Sequence, residues 1–448
     1  MSDKLQFTLL LAFILFASIL YNIYNNLEKI PKYMDEEFHL EQTISYFKNK
    51  FNYWNDKLTT FPGTFLLSSA FLKIFSLFNI KINENNAIKI LRLFTVIIGI
   101  TSFFLLGLFK KKLNVDQSLL LKFQLLAGFF PINYFFNFLF YTETFSNLSL
   151  IIYFYLNLYA SKSYILRFLS AILCISIRQN NIIWINLFSL NDVILLIQNF
   201  FIKKTVNNIF AIIIKNIDIL IIDILFIIFI IHNDFSVVLG DKSHHNIVFH
   251  LAQMNHLLIF SLIFFPAINL KVIRNANKIF NTRKKVVRFI LIFFIILFIV
   301  LVFNRFSYTH DFILADNRHY IFYYFKKIYL KDNLRYALLI YVSFIFSIII
   351  NDNIKLLQEN RIISLYICSF LCLIPAKLVE IRYFAPCYLI FIILVNYNKE
   401  GFLDLHNYVF HWLNIIWHAI INGITFYIFL FKPFQNKFMN NEISRFMY

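Results

Sequence analysis

A chain of 448 residues that is 60% hydrophobic, 20% aromatic and only 15% charged has no way to bury its apolar surface as a water-soluble globule. Its apolar runs reach the roughly 18–20 residues that cross a bilayer, and they are continuous rather than alternating, which predicts an all-α polytopic membrane protein and excludes a β-barrel. The net charge of +18 does not point to nucleic acid, because Lys and Arg cluster in short loops between apolar runs, as cytosolic loops do.

The first apolar run, roughly Phe7 to Ile23, is followed by no small-residue cleavage site and is expected to remain as an anchor. Next comes Tyr33-Met-Asp-Glu-Glu-Phe-His39, with three acids and a histidine crowded together in an apolar chain. Continued as a helix, Leu40, Ile44, Phe47 and Phe51 line one face, and Asp35, His39, Gln42 and Tyr46 the opposite one. This spacing predicts an amphipathic helix in the membrane interface with Asp35 turned away from lipid. A solvated loop beside a membrane span accounts for the acids equally well. Phe61-Pro62-Gly63-Thr64 then opens an apolar run to about Phe78. Lys110, Lys111 and Lys112 belong in the cytosol; with a cytosolic N-terminus an even number of crossings must precede them, and the first run and Ile88–Phe109 already supply two. The Pro62 run is therefore expected to lie along the membrane or re-enter it. Residues 25–80 become an outer first loop.

Alternation carried onward places five clusters on that same outer side. They are Tyr141-Thr-Glu143, Arg178-Gln-Asn-Asn181, Val237 to His245, Leu314 to Tyr320, and Lys377 with Glu380, Arg382 and Tyr383. Lys162, Arg167, Lys203-Lys204 and the basic loop Lys271–Arg288 fall in the cytosol. The total is about 13 crossings in a single integral membrane domain spanning residues 1–448.

Polar clusters held at span ends usually serve a site or a pathway, since charge at membrane depth is costly. Asp35 and Glu36 are candidate general bases, carboxylates able to take a proton from an attacking hydroxyl. Arg178, Arg318, His319, Lys377 and Arg382 are candidate anion binders, because the guanidinium fork suits phosphate oxygens and a departing phosphate needs its growing charge stabilised. Tyr320 and Tyr383 stand beside them, fit to stack on a sugar or to anchor at the interface. Plainer roles stay open: Arg382 beside Glu380 fits a structural ion pair, and Arg178 an interfacial anchor. Cys174, Cys368, Cys372 and Cys387 form no CxxC pair, and His244, His245, His250 and His256 match no compact ligand spacing, so no metal is expected. Asp223, inside an apolar run, suits either an ion pathway or a partner on another helix.

Several motifs together resemble one family. They are Tyr33-Met-Asp-Glu-x-Phe-His39, Thr59-Thr-x-Pro-Gly63, Tyr134-Phe-Phe-Asn-Phe138 leading to Tyr141-Thr-Glu143, and Arg178-Gln-x-Asn181 with Trp184. Gly240-Asp-x-Ser-His244, Leu314-Ala-Asp-Asn-Arg-His-Tyr320, Pro375 through Lys377, Glu380, Arg382-Tyr-Phe384, and a closing Arg445-Phe-Met complete the set. The chain resembles the dolichyl-phosphoglucose-dependent alpha-1,2-glucosyltransferases of the endoplasmic reticulum from its first span to its last residues. The resemblance implies a GT-C fold, an active site facing the lumen, and transfer of the terminal glucose from dolichyl phosphate glucose to the dolichyl-diphosphate-linked oligosaccharide. A beta-linked donor and an alpha-linked product imply inversion by a single displacement. It also implies a base in the first luminal loop, at Asp35 or Glu36, no cofactor, and substrate contacts at His39, Glu143, Arg178, Asp316, Arg318, His319, Lys377, Arg382 and Tyr383. The stretch Asn199–Asn216 departs from some relatives in lacking a larger insert. A transporter is the main rival, but it calls for related halves, which the chain does not display. A structural membrane protein would not need so many polar clusters at span ends.

Overall fold

The computed structural model describes residues 16–27, 30–112, 117–203, 209–242, 247–270, 285–352, 360–394, 408–436 and 442–448. Helices dominate, as the continuous apolar runs require, and the described residues divide into two compact units. Most of the first apolar run, Lys204, His244, His245, Arg283 and Lys284 lie outside the described residues.

The first unit comprises Met1–Gln124 and Asn133–His245. It contains α1 (residues 16–27), α2 (Glu36–Phe47), α3 (Gly63–Ser76), α4 (Glu84–Lys112) and most of α5 (Gln117–Gly128) and α6 (Pro131–Phe136). These are followed by α7 (Thr142–Tyr159), α8 (Tyr164–Ile177), α9 (Asn181–Ile185), α10 (Leu187–Lys203), α11 (Ile209–Lys215) and α12 (Ile217–His232). Its core is a cluster in which Leu40 of α2, Leu72 of α3, Leu91 of α4, Phe145 of α7 and Ile177 of α8 meet.

The helix expected after Asp35 forms, but its setting differs from the expectation. Leu40, Ile44 and Phe47 do share an apolar face, which packs on that core. The opposite face is buried as well: Tyr46 packs with Leu58 and Phe65. Gln42 is fully covered, its amide donating to the Tyr53 carbonyl at 2.9 Å and its oxygen accepting from the Asn55 N–H at 2.9 Å. Thus α2 packs both of these faces against protein and leaves Glu37 and Glu41 exposed along its remaining edge, and Phe51 falls beyond its end. The polar residues are there because neighbouring coil carbonyls and N–H groups need partners.

The helix after Pro62 runs for 14 residues, about 21 Å, short of a ~30 Å hydrocarbon core. Helix α8 and the helix Asn360–Leu373 have the same length. Among the described residues, Glu84–Phe109 and His411–Phe431 are long and apolar enough to cross alone.

The second unit comprises Leu125–Ile132 and Asn246–Tyr448. It contains α13 (Ala252–Phe264), α14 (Lys285–Arg305), α15 (Asp311–Ala315) and α16 (Tyr320–Tyr324), the last continuing as a π turn over Phe325–Tyr329. Then come α17 (Asp332–Asp352), α18 (Asn360–Leu373), a 3₁₀ turn at Ile381–Phe384, α19 (Ala385–Leu394) and α20 (Tyr408–Phe431). A two-stranded antiparallel ribbon closes it, β1 (Phe434–Asn436) on β2 (Glu442–Ser444), with Phe434 opposite Ser444. Phe130 anchors this core between Phe264, Phe265, Tyr388 and His418.

Candidate active site

Asp35 and Glu36 are adjacent, yet their environments are unlike. Asp35 stands half-buried at the N-cap of α2, directly after Met34, whose φ of 56° turns the chain sharply. Its N–H donates to the Tyr141 hydroxyl at 3.1 Å. Glu36 is fully buried and its carboxylate accepts four hydrogen bonds. Two come from the Arg92 guanidinium, Nε at 2.9 Å and Nη2 at 2.5 Å, and two from the backbone N–H groups of Phe140 at 2.8 Å and Tyr33 at 2.9 Å. Arg92 spends its other donors on the carbonyls of Leu27 (3.0 Å), Ile30 (2.8 Å) and Pro31 (3.0 Å). All five guanidinium N–H groups are thereby used. A carboxylate filled in this way is an anchor that fastens the end of α1, the Asp35 turn, α4 and the coil before α7.

His39 lies one turn along α2. Its Nδ1–H donates to the Phe140 carbonyl at 2.9 Å, and its ring sits 5.3 Å from Tyr141 and 5.4 Å from Phe65. Glu143 occupies the first turn of α7, where the helix N-terminus favours an anion. Arg178, at the end of α8, donates to its carboxylate at 3.0 Å. The residues after Arg178 serve the framework. The Gln179 amide donates to the Thr59 carbonyl at 2.8 Å, and the Asn181 amide to the Cys174 carbonyl at 2.8 Å. The Leu239 N–H also reaches the Thr59 carbonyl, at 3.2 Å, while the Asp241 N–H donates to Asp56 at 2.7 Å. Three sequence motifs far apart in the chain, around Thr59, Arg178 and Gly240, therefore meet at one backbone node.

In the second unit, Arg318 grips Asp316 with its fork, Nε at 2.8 Å and Nη2 at 2.7 Å, while its backbone N–H donates to the same carboxylate at 3.0 Å. His319 Nε2 stands 3.7 Å from that carboxylate. Burial pushes the Asp316 carboxyl up, but the Arg318 hydrogen bonds and the His319 charge outweigh it and hold the group below its usual range. Arg382 pairs with Glu380 through Nε, so the ion pair suggested by their spacing forms, and the Tyr383 N–H donates to the Glu380 carbonyl at 3.1 Å. Lys377 belongs to a coil held by buried side chains. His250 Nδ1–H and the Gln253 amide both donate to the Ala376 carbonyl, at 3.2 Å and 3.0 Å, and Gln253 also reaches Leu378 at 2.9 Å. The Tyr308 N–H donates to His250 Nε2 at 3.3 Å, so both ring nitrogens are engaged as a neutral tautomer.

Sequence reasoning missed Arg92, the Tyr141 hydroxyl, Gln253 and the framework role of His250. Arg92 did carry a signal, since it stands one turn beyond Lys89, where the apolar stretch of α4 begins and an unpaired charge is costly. Asp223 finds its partner on another element, the Asn186 amide at 2.7 Å. A second fully buried ion pair, Arg167 with Asp218, joins α8 to α12.

An all-α chain of membrane-type composition, with carboxylates and cations held in paired nodes at helix ends, is the class these features define. A profile of the DIE2/ALG10 family matches residues 30–205 and 189–393, and the chain belongs to this family. It is 28% identical to a human protein across 97% of its own length and 96% of the relative's. A Candida albicans relative is 29% identical over 95% of this chain and 96% of its own. A Drosophila melanogaster relative is 26% identical over 90% and 91%. Each of the three bears the name Dol-P-Glc:Glc(2)Man(9)GlcNAc(2)-PP-Dol alpha-1,2-glucosyltransferase.

Proposed function

We propose that this chain is an inverting glucosyltransferase that moves glucose from dolichyl phosphate glucose to the diglucosylated lipid-linked oligosaccharide, forming the terminal alpha-1,2-linked glucose of the N-glycan precursor. The observation that carries this reading is end-to-end similarity to relatives named for that reaction, covering 97% of the chain in the human case. The rival transport reading gains no support from these relatives, each of which is named for glucose transfer.

In the proposed mechanism an acceptor hydroxyl attacks the anomeric carbon of the donor glucose. The bond from that carbon to the phosphate oxygen breaks on the opposite face, and dolichyl phosphate leaves with the electron pair. Asp35 takes the hydroxyl proton, because it is the half-buried carboxylate of the adjacent pair, whereas the oxygens of Glu36 are filled by four donors. Glu36 orients the turn that presents Asp35. Arg318 and Arg382 meet the donor phosphate, with His319 and Lys377 as neighbours, and His39, Glu143, Arg178, Asp316 and Tyr383 complete the substrate contacts. A leaving monophosphate met by cationic side chains needs no metal. The finer architecture belongs to the same proposal: a GT-C arrangement of about 13 crossings in the endoplasmic reticulum membrane, with the Asp35 loop in the lumen.

The test uses the purified chain in lipid nanodiscs with glucose-labelled dolichyl phosphate glucose and the diglucosylated acceptor. Label in an alpha-1,2-linked terminal glucose is the expected product. Donor hydrolysis alone, transfer to a different acceptor, or no reaction with correctly folded protein would defeat the proposal.

A further inference from the structure

We infer that the segment Glu442–Tyr448 is a positioning element for the donor-phosphate site, bracing the Asp316–Tyr320 coil that presents Arg318 and His319. The inference rests on the donor role proposed above for Arg318. That coil lies between α15, of only five residues and too short to hold its own conformation, and the start of α16. Something else must fix it, and the Arg445-Phe-Met motif lies against it.

The contacts run along both segments. The Met447 N–H donates to the Arg318 carbonyl at 2.9 Å, and the Tyr320 N–H donates to the Met447 carbonyl at 3.1 Å, which makes a parallel bridge around His319. His319 Nδ1–H donates to the Tyr448 carbonyl at 2.8 Å, and the rings of Tyr320 and Tyr448 lie 5.4 Å apart. With Asp316 holding its N–H and its fork, Arg318 is fastened at its amide, its carbonyl and its guanidinium. The brace is itself tied down. Arg445 Nη1 donates to the carbonyls of Phe429 (2.6 Å) and Leu430 (2.9 Å) in the last turn of α20. Phe446 stacks on Phe434 at 4.3 Å, and the Tyr448 hydroxyl meets the Thr425 hydroxyl at 3.2 Å. A line of bonds thus runs from α20 through the closing segment to Arg318. Fixing the guanidinium in advance spares the donor the cost of ordering it on binding.

Met447→Pro removes the N–H that the Arg318 carbonyl accepts, whereas Met447→Leu keeps both the N–H and the buried volume. In full-length protein in nanodiscs, Met447→Pro is expected to raise the donor KM about tenfold, the scale of one lost buried hydrogen bond. The acceptor KM stays unchanged, and amide exchange at Arg318–Tyr320 rises. Met447→Leu restores both readouts to wild type. Arg445→Gln, which loosens the far end of the brace without touching the coil, raises the donor KM in the same direction and carries the test if the proline variant does not fold. A wild-type donor KM in Arg445→Gln, or in folded Met447→Pro, overturns the inference. A wild-type donor KM in Arg318→Lys beside a raised one in Met447→Pro overturns the role of Arg318 instead and leaves the brace acting through His319.

Discussion

At Asp35 and Glu36, one carboxylate is fully buried and terminates a framework, and its neighbour is half-buried at the helix N-cap. Asp35→Asn keeps the size of the side chain and removes its basic oxygen, so single-turnover glucose transfer should slow by roughly 10²–10⁴-fold while donor binding persists. Glu36→Gln instead leaves Arg92 buried without its counter-charge, a loss of about 3–5 kcal/mol in stability. It should show first as a lowered melting temperature, with turnover per folded molecule affected less than in Asp35→Asn. A normal rate in Asp35→Asn beside a dead but folded Glu36→Gln would exchange their roles. Arg318→Lys and Arg382→Lys keep the charge and lose the fork, and both should weaken donor turnover. Wild-type kinetics in both would remove the bidentate phosphate role. His250 gives a pH dependence. Burial lowers its pKa from 6.5 to about 4, so the folded chain keeps it neutral where the unfolded chain would protonate it. Its stabilising contribution is complete above about pH 6.5 and is lost as pH falls toward 4. Melting temperature should climb over that window, and His250→Gln should flatten the climb while lowering the plateau.

Elements of the first unit are held by close backbone approaches that glycine permits. A Cβ on Gly63, at the start of α3, would lie 2.5 Å from the Ser176 carbonyl oxygen near the end of α8. A Cβ on Gly240 would lie 2.3 Å from the Asp56 carbonyl oxygen, and Gly240 also has a φ of +60°, where other residues are strained. Gly240→Ala should therefore destabilise the chain by about 1–3 kcal/mol and disturb the node at Thr59, measured by thermal unfolding of the two proteins side by side. The helical spacing of Leu40, Ile44 and Phe47 was legible in the sequence because periodicity reports which residues share a face. It did not reveal that the polar face of α2 is also buried. That depends on the Tyr53–Asn55 coil and on Phe65 folding back over it, and no periodicity within α2 encodes those neighbours.

For the whole molecule the testable quantity is sidedness. Asp35, Glu143, Asp241 and Arg318 are expected in the lumen, with Lys110–Lys112, Lys203–Lys204 and Arg283–Lys285 in the cytosol. Glycosylation acceptor sites inserted at each position should be modified only in the first group. Modification of a site at residue 111 would break the parity that keeps the Pro62 run from crossing. The two compact units share one membrane-type composition, and each contains residues proposed for the reaction: Asp35, Glu143 and Arg178 in the first, Arg318, Lys377 and Arg382 in the second.

Composition and hydropathy alone determined the all-α, membrane-type class, since continuous apolar runs leave a helix as the only lipid-compatible spanning form. The short motifs alone determined the family, because residue order is what a family shares. For polar groups far apart in the chain, only the tertiary structure decided which of them pair. Glu36 and Arg92 lie on different elements, as do Glu143 and Arg178, His250 and Ala376, and Arg318 and Met447. Each bond closes a long loop, and nothing local to either partner marks the other. It forms because a buried polar group must find a donor or acceptor, and only the packed fold brings one within reach.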